Sequence, residues 1–160
     1  MISSFDYTIK DVQFSTQPSA KEMTLMDNQC FSSPWVEKDY QEMQKLPIFN
    51  SWLLEIPDVC HVGFLAFNFL SPELEILRLG VHPKWRKRGL AELILSRLEI
   101  LSKKNKIESI WLEVDESNKP AKSLYYKAGF KEMGKRKGYF RNPLGNALLF
   151  KKVLSRNYTK

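Results

Sequence analysis

Glu113 stands in the segment Trp111-Leu112-Glu113-Val114-Asp115. Strand alternation puts Ile110, Leu112 and Val114 on one sheet face and Trp111, Glu113 and Asp115 on the other. A strand carboxylate beside a large aromatic has the partly desolvated setting that a general base uses. The plain alternative is a rim carboxylate with no chemical task. Tyr125 follows twelve residues later. Its phenol either packs in the core with a satisfied hydroxyl or opens into a cleft and donates a proton. Asn118, between the two, reads most simply as a helix cap.

A second group is Arg86-Lys87-Arg88-Gly89-Leu90-Ala91, lying between a strand and a long helix. A strand that turns into a helix through Gly leaves the first helical N–H groups unpaired. Those donors, with the helix dipole, suit a phosphate. Gly89 and the small Ala91 let a diphosphate approach the backbone, and Arg86, Lys87 and Arg88 add positive charge. The Gly-x-x-x-x-Gly-Lys-Ser/Thr pattern is absent. A basic, solvated helix start is the competing reading.

Strands and helices must position these groups. Tyr7–Phe14, Ser51–Ile56, Val62–Phe69, Leu74–Val81 and Ile107–Val114 read as strands, rich in apolar and aromatic residues. Ser19 caps a helix over Ala20–Gln29, Ser33-Pro34-Trp35 breaks it, and Val36–Lys45 forms another. Leu90, Leu93, Ile94, Arg97, Leu98 and Leu101 give the Leu90–Lys104 helix a mostly apolar stripe. Asn118 and Pro120 open a short helix that buries Ala121, Leu124, Tyr125 and Ala128 and stops at Gly129. Phe130–Tyr139 and Ala147–Leu154 pair across the turn Asn142-Pro143-Leu144-Gly145. The expectation is one α/β domain over residues 1–160, with a mixed, mostly antiparallel central sheet flanked by helices.

The chain has 160 residues, 43% of them hydrophobic, enough for a core. Its net charge of +7 is unevenly spread: residues 1–70 sum to −5 and residues 71–160 to +12. That split suggests two partners of opposite sign. Cys30 and Cys60 have no metal-type spacing, and His61 and His82 are the only histidines, so no metal is expected. No apolar run spans a membrane, and Met1–Asp6 lacks a signal peptide's basic start. A cytoplasmic protein is expected.

Together the motifs say more. Glu75-Ile76-Leu77-Arg78-Leu79-Gly80-Val81-His82-Pro83, then Arg86 to Ala91, Trp111 to Asn118 and Leu124-Tyr125-Tyr126-Lys127-Ala128-Gly129-Phe130 resemble the GNAT family of acetyl-CoA-dependent N-acetyltransferases. Arg136-Lys137-Gly138-Tyr139-Phe140 and Cys30-Phe31-Ser32-Ser33-Pro34-Trp35 resemble its ribosomal-protein alanine (RimI) type. The resemblance covers nearly the whole chain and implies a site. Leu79, Gly80 and Val81 would pair with the pantetheine arm of acetyl-CoA. Lys87, Arg88, Gly89, Leu90, Ala91 and Glu92, with Arg86 beside them, would hold its diphosphate, and Asn118 would lie near its thiol end. Glu113 would be the base and Tyr125 the acid, with a backbone N–H near Val81 on the oxyanion.

The implied acceptor is a protein or peptide N-terminus, a ribosomal protein among the candidates. Glu37, Asp39 and Glu42 on one helix offer a face for a cationic acceptor, or an ordinary solvated surface. A polyamine or aminoglycoside acetyltransferase and a non-catalytic acyl-CoA sensor are the alternatives. Retention of both Glu113 and Tyr125 argues against the sensor. A nucleic-acid module built on Lys84 to Arg88 and Lys135 to Arg141 ranks last, for want of any recognised motif. Phe140, where the RimI type has a second Tyr, and the short 141–146 loop bear on the acceptor rather than the fold.

Overall fold

The computed structural model describes residues 7–141 and 144–155. Ser19 opens the first helix through a capping box. Its hydroxyl accepts from the Glu22 N–H (3.2 Å), and the Glu22 carboxylate accepts from the Ser19 N–H (2.8 Å). The described helices are α1 (Ala20–Cys30), α2 (Glu37–Gln44), α3 (Leu90–Lys104) and α4 (Lys119–Lys127). The strands are β1 (Gln13–Thr16), β2 (Phe49–Ile56), β3 (Cys60–Leu70), β4 (Glu73–Val81), β5 (Ser109–Asp115), β6 (Lys131–Arg141) and β7 (Leu144–Val153). They form one sheet in the order β1-β2-β3-β4-β5-β7-β6. The β1–β2, β5–β7 and β6–β7 pairs are antiparallel and β4–β5 is parallel, the mixed α/β arrangement expected.

The chain divides into two compact units. The first comprises Met1–Phe67 and Arg78–Leu93, the second Asn68–Leu77 and Ile94–Lys160. In the first, Met23, Met26, Tyr40, Phe64, Phe67 and Leu90 are buried. Trp52 stacks edge-on against Phe14 and Phe67, with ring centroids 5.6 and 5.3 Å away. In the second, Ile94, Leu95 and Leu98 of α3 are buried, as are Ile110, Leu112 and Val114 of β5. The β5 alternation therefore falls as its pattern requires. On α3 the stripe is shifted, because Leu95 and Ser102 are buried and Arg97 is exposed. Ser102 is accommodated by donating its hydroxyl to the Leu98 carbonyl at 2.7 Å.

Three local expectations change. The Tyr7–Phe14 strand gives way to a 3-10 turn over Ile9–Asp11, followed by β1. Thr8 and Asp11 form a capping box there, which competes with an extended backbone. Ile107 and Glu108 precede β5 rather than joining it, their N–H groups going to the Ser102 and Pro72 carbonyls. Leu144 and Gly145 belong to β7, opposite Arg141 and Phe140, instead of to a turn. Asn142 and Pro143 of that turn, and Met1–Asp6, lie outside the described residues.

Candidate active site

Within the second unit, β5 carries Glu113 on the face it shares with Trp111 and Asp115, all three partly exposed. Arg136 Nη1 donates to Glu113 Oε1 at 2.7 Å. The strand then turns: the Ser117 N–H and hydroxyl both donate to Asp115 Oδ1 at 2.8 Å. Asn118 N–H donates to the Asp115 carbonyl. Asn118 Oδ1 accepts from the Ala121 N–H at 3.1 Å, the cap that its sequence position implies. That leaves its amide nitrogen as the end able to meet a ligand.

α4 holds Tyr125 on its buried face. Its ring packs against Phe130 and Phe150, with centroids 5.5 and 6.3 Å away. Burial alone pushes its hydroxyl above the ordinary phenol range. Among the described residues that hydroxyl has no hydrogen-bond partner. A phenol so placed keeps its proton at every physiological pH and has one to give. Gly129, at φ +92°, ends the helix and lets Phe130 turn back, its N–H donating to the Tyr125 carbonyl.

Within the first unit, β4 ends at Val81 and the chain reaches α3 through Arg86 to Gly89. Lys87 and Gly89 have φ +61° and +82°. Leu93 donates its N–H to the Gly89 carbonyl, so the N–H groups of Leu90, Ala91 and Glu92 have no acceptor within the helix. A Cβ added at Gly89 would meet nothing within 4 Å. An open, basic backbone at the head of a 15-residue helix fits a diphosphate group. The flanking cations divide. Arg88 lies over the Trp85 ring, 4.5 Å from its centroid. Arg86 donates to the carbonyls of Val81 (3.1 Å) and Cys30 (3.2 Å), tying the end of β4 to the end of α1.

Gly80 is buried, and a Cβ there would lie 3.0 Å from both Cβ and Sγ of Cys30 and closer still to the Phe64 ring. Only Gly fits this close approach of α1 to β4. Burial pushes the Cys30 thiol up to about 11, so it is protonated at neutral pH and a poor nucleophile.

The sequence gives no hint of a cluster around Asp27, whose side chain is wholly buried. It accepts from the Tyr40 hydroxyl (2.7 Å), the Arg78 guanidinium (2.7 Å) and the Trp35 N–H (3.2 Å). Arg78 also lies over the Phe31 ring at 4.5 Å. These contacts hold α1, α2 and the 31–36 segment against β4 one residue before Leu79. The acids of α2 are spent locally. Asp39 accepts from the Val36 N–H, Glu42 pairs with Lys45, and Glu37 accepts from Gln41. Their arrangement is that of a solvated helix.

Among the described residues no helix is long and apolar enough to cross a membrane, and no cluster of three or more His, Cys, Asp or Glu could hold a metal. The Phe140 side chain lies outside the described residues.

The [ribosomal protein bS18]-alanine N-acetyltransferase of Haemophilus ducreyi is 32% identical over 113 residues, covering 71% of this chain and 77% of that protein. The crystal structure of the ribosomal-protein-S18-alanine N-acetyltransferase from Escherichia coli superposes with a TM-score of 0.82 at 22% identity, covering 90% and 94% of the two chains. That of Arabidopsis thaliana NAA60 in complex with acetyl-CoA superposes with a TM-score of 0.76 at 18% identity, covering 89% and 98%. Residues 20–130 match the model of the acetyltransferase (GNAT) family, and the chain belongs to that family.

Proposed function

We propose that this protein transfers an acetyl group from acetyl-CoA to the α-amine of a protein N-terminus, a ribosomal protein with N-terminal alanine being the first candidate. The observation that carries this reading is the likeness over most of the chain to a relative named for that alanine acetylation. Acetyl-CoA, when bound, supplies an acetyl thioester open to direct attack by an amine. The N–H groups of Lys87 to Glu92 hold the diphosphate, and the backbone of Leu79 to Val81 pairs with the pantetheine arm. The first Leu93 N–H to Gly89 carbonyl bond of α3 supports the diphosphate placement, since it leaves the N–H groups of Leu90, Ala91 and Glu92 without an acceptor in the helix.

An α-ammonium, with a pKa of about 8, must lose its proton before it can attack. Glu113 takes that proton through water. The Val81 N–H stabilises the negative charge that develops on the carbonyl oxygen. As the C–S bond breaks, Tyr125 gives its proton to the departing thiolate, and the second proton shed by the new amide nitrogen restores the phenol. Asn118 orients the thiol end through its amide nitrogen. The protonated Cys30 supports direct transfer without an acetyl-enzyme. The inferred place of work is the cytoplasm, where acetyl-CoA and nascent N-termini meet.

The test is thiol release from acetyl-CoA with mass spectrometry of three acceptor sets: peptides with a free N-terminal alanine, the same peptides blocked at the N-terminus, and polyamines. Transfer confined to the free peptides supports the reading. Transfer to polyamines alone overturns the acceptor, and cofactor binding with no transfer to any set favours a sensor.

A further inference from the structure

We propose that Arg136 is a positioning residue, fixing the Glu113 carboxylate so that one oxygen is held and the other receives the proton. The proposal rests on the reading of Glu113 as base. Arg136 and Glu113 are not on neighbouring strands. Glu113 is opposite Leu149 of β7, and Leu149 is opposite Gly134 of β6. The Arg136 side chain must therefore cross β7 to place Nη1 2.7 Å from Glu113 Oε1.

Two further contacts order this crossing. The Arg136 guanidinium lies over the Tyr139 ring, 4.3 Å from its centroid, which restrains it from its own strand. Beside it, Lys135 makes the same crossing to Glu116 at 2.5 Å. Glu116 also accepts from Asn146 Nδ2 (2.8 Å), and Asn146 Oδ1 accepts from the Gly138 N–H (3.0 Å). Consecutive cations of β6 thus grip two carboxylates at the end of β5, across the strand between them.

An exposed ion pair contributes little to stability, and Arg136 is 57% exposed while Glu113 is 26% exposed. The pair's consequence is geometric instead. A charge-assisted bond to Oε1 stops the carboxylate rotating. Oε2, which has no partner among the described residues, is then the oxygen presented to water. A base held in one orientation does not have to be re-oriented in each turnover.

The experiment compares wild type, Arg136→Gln, Arg136→Lys, Glu113→Gln and the double variant Arg136→Gln/Glu113→Gln as full chains. The readouts are kcat, KM for each substrate and melting temperature, with acetyl-CoA and a free N-terminal alanine peptide. Arg136→Gln should lower kcat by up to roughly a hundredfold, the scale of a misplacement of about 1 Å, with melting temperature and KM for acetyl-CoA unchanged. Arg136→Lys should recover part of that loss, and the double variant should be no slower than Glu113→Gln. Wild-type kcat in Arg136→Gln overturns the proposal, as does a loss that simply multiplies with that of Glu113→Gln. A rise in peptide KM alone also overturns it, placing Arg136 on the acceptor instead. If Glu113→Gln itself turns over like wild type, the base reading fails and this proposal with it. A slow Glu113→Gln beside a fast Arg136→Gln removes only Arg136.

Discussion

Asp27 Oδ1 and Arg78 Nη2 lie 2.7 Å apart, 51 residues apart in sequence, and the Asp27 side chain is wholly buried. Its other oxygen receives the Tyr40 hydroxyl, whose proton is held more firmly than in an ordinary phenol, by burial and by that bond. Removing one member of a buried pair leaves the other uncompensated. Asp27→Ala is therefore expected to cost about 3–5 kcal/mol in urea unfolding. Arg78→Met should be similarly severe, and Asp27→Ala/Arg78→Met should lose less than the two single changes together. Equal or greater loss would mean that the charges do not act as a pair.

Gly80→Ala forces a methyl group into Cys30 and the Phe64 ring. Overpacking of this kind costs about 1–3 kcal/mol. Because the clash lies on the strand proposed to hold the pantetheine arm, weaker acetyl-CoA binding in titration calorimetry should accompany it. Adding Phe64→Leu should relieve part of both losses. Unchanged affinity in Gly80→Ala would separate this strand from the cofactor.

Tyr125→Phe keeps the ring and removes the proton. General acid catalysis is worth about 10²–10⁴-fold, so kcat should fall within that range while KM for acetyl-CoA stays near wild type. The sign of its pH dependence follows from burial. A hydroxyl raised above the usual phenol value of about 10 remains a competent acid as pH rises, so wild-type kcat should not decline between about pH 8 and 10 on its account. Undiminished turnover in Tyr125→Phe would remove it from the reaction.

Cys30→Ser tests direct transfer. The thiol is pushed up to about 11 by burial and is protonated at neutral pH. The variant should keep most of its activity, and rapid-quench mass spectrometry of wild type should find no acetylated enzyme. An acetyl group on Cys30 that forms and decays at the catalytic rate would require a two-step mechanism.

Local signals made much of the framework legible. Ser19 and Asn118 cap their helices as read, Leu90–Lys104 is a helix over the same residues, and β5 buries Ile110, Leu112 and Val114. Each depends on neighbours within four residues. What went unread depends on partners far away in the chain. The Asp27–Arg78 and Glu113–Arg136 pairs span 51 and 23 residues, and no spacing announces them. Arg86 offers charge for a phosphate in the sequence, yet its donors also go to the Val81 and Cys30 carbonyls, a contact visible only once α1 and β4 are packed. Tyr7–Phe14 misled because alternation there is outweighed by the Thr8–Asp11 capping box.

The most direct measurement places both kinds of amine in one molecule. A peptide with a free N-terminal alanine and an internal lysine is incubated with acetyl-CoA and the enzyme, and tandem mass spectrometry locates the acetyl group. The account predicts acetylation of the alanine α-amine alone, abolished when that amine is blocked beforehand. Acetyl on the lysine ε-amine, undiminished by N-terminal blocking, would contradict it.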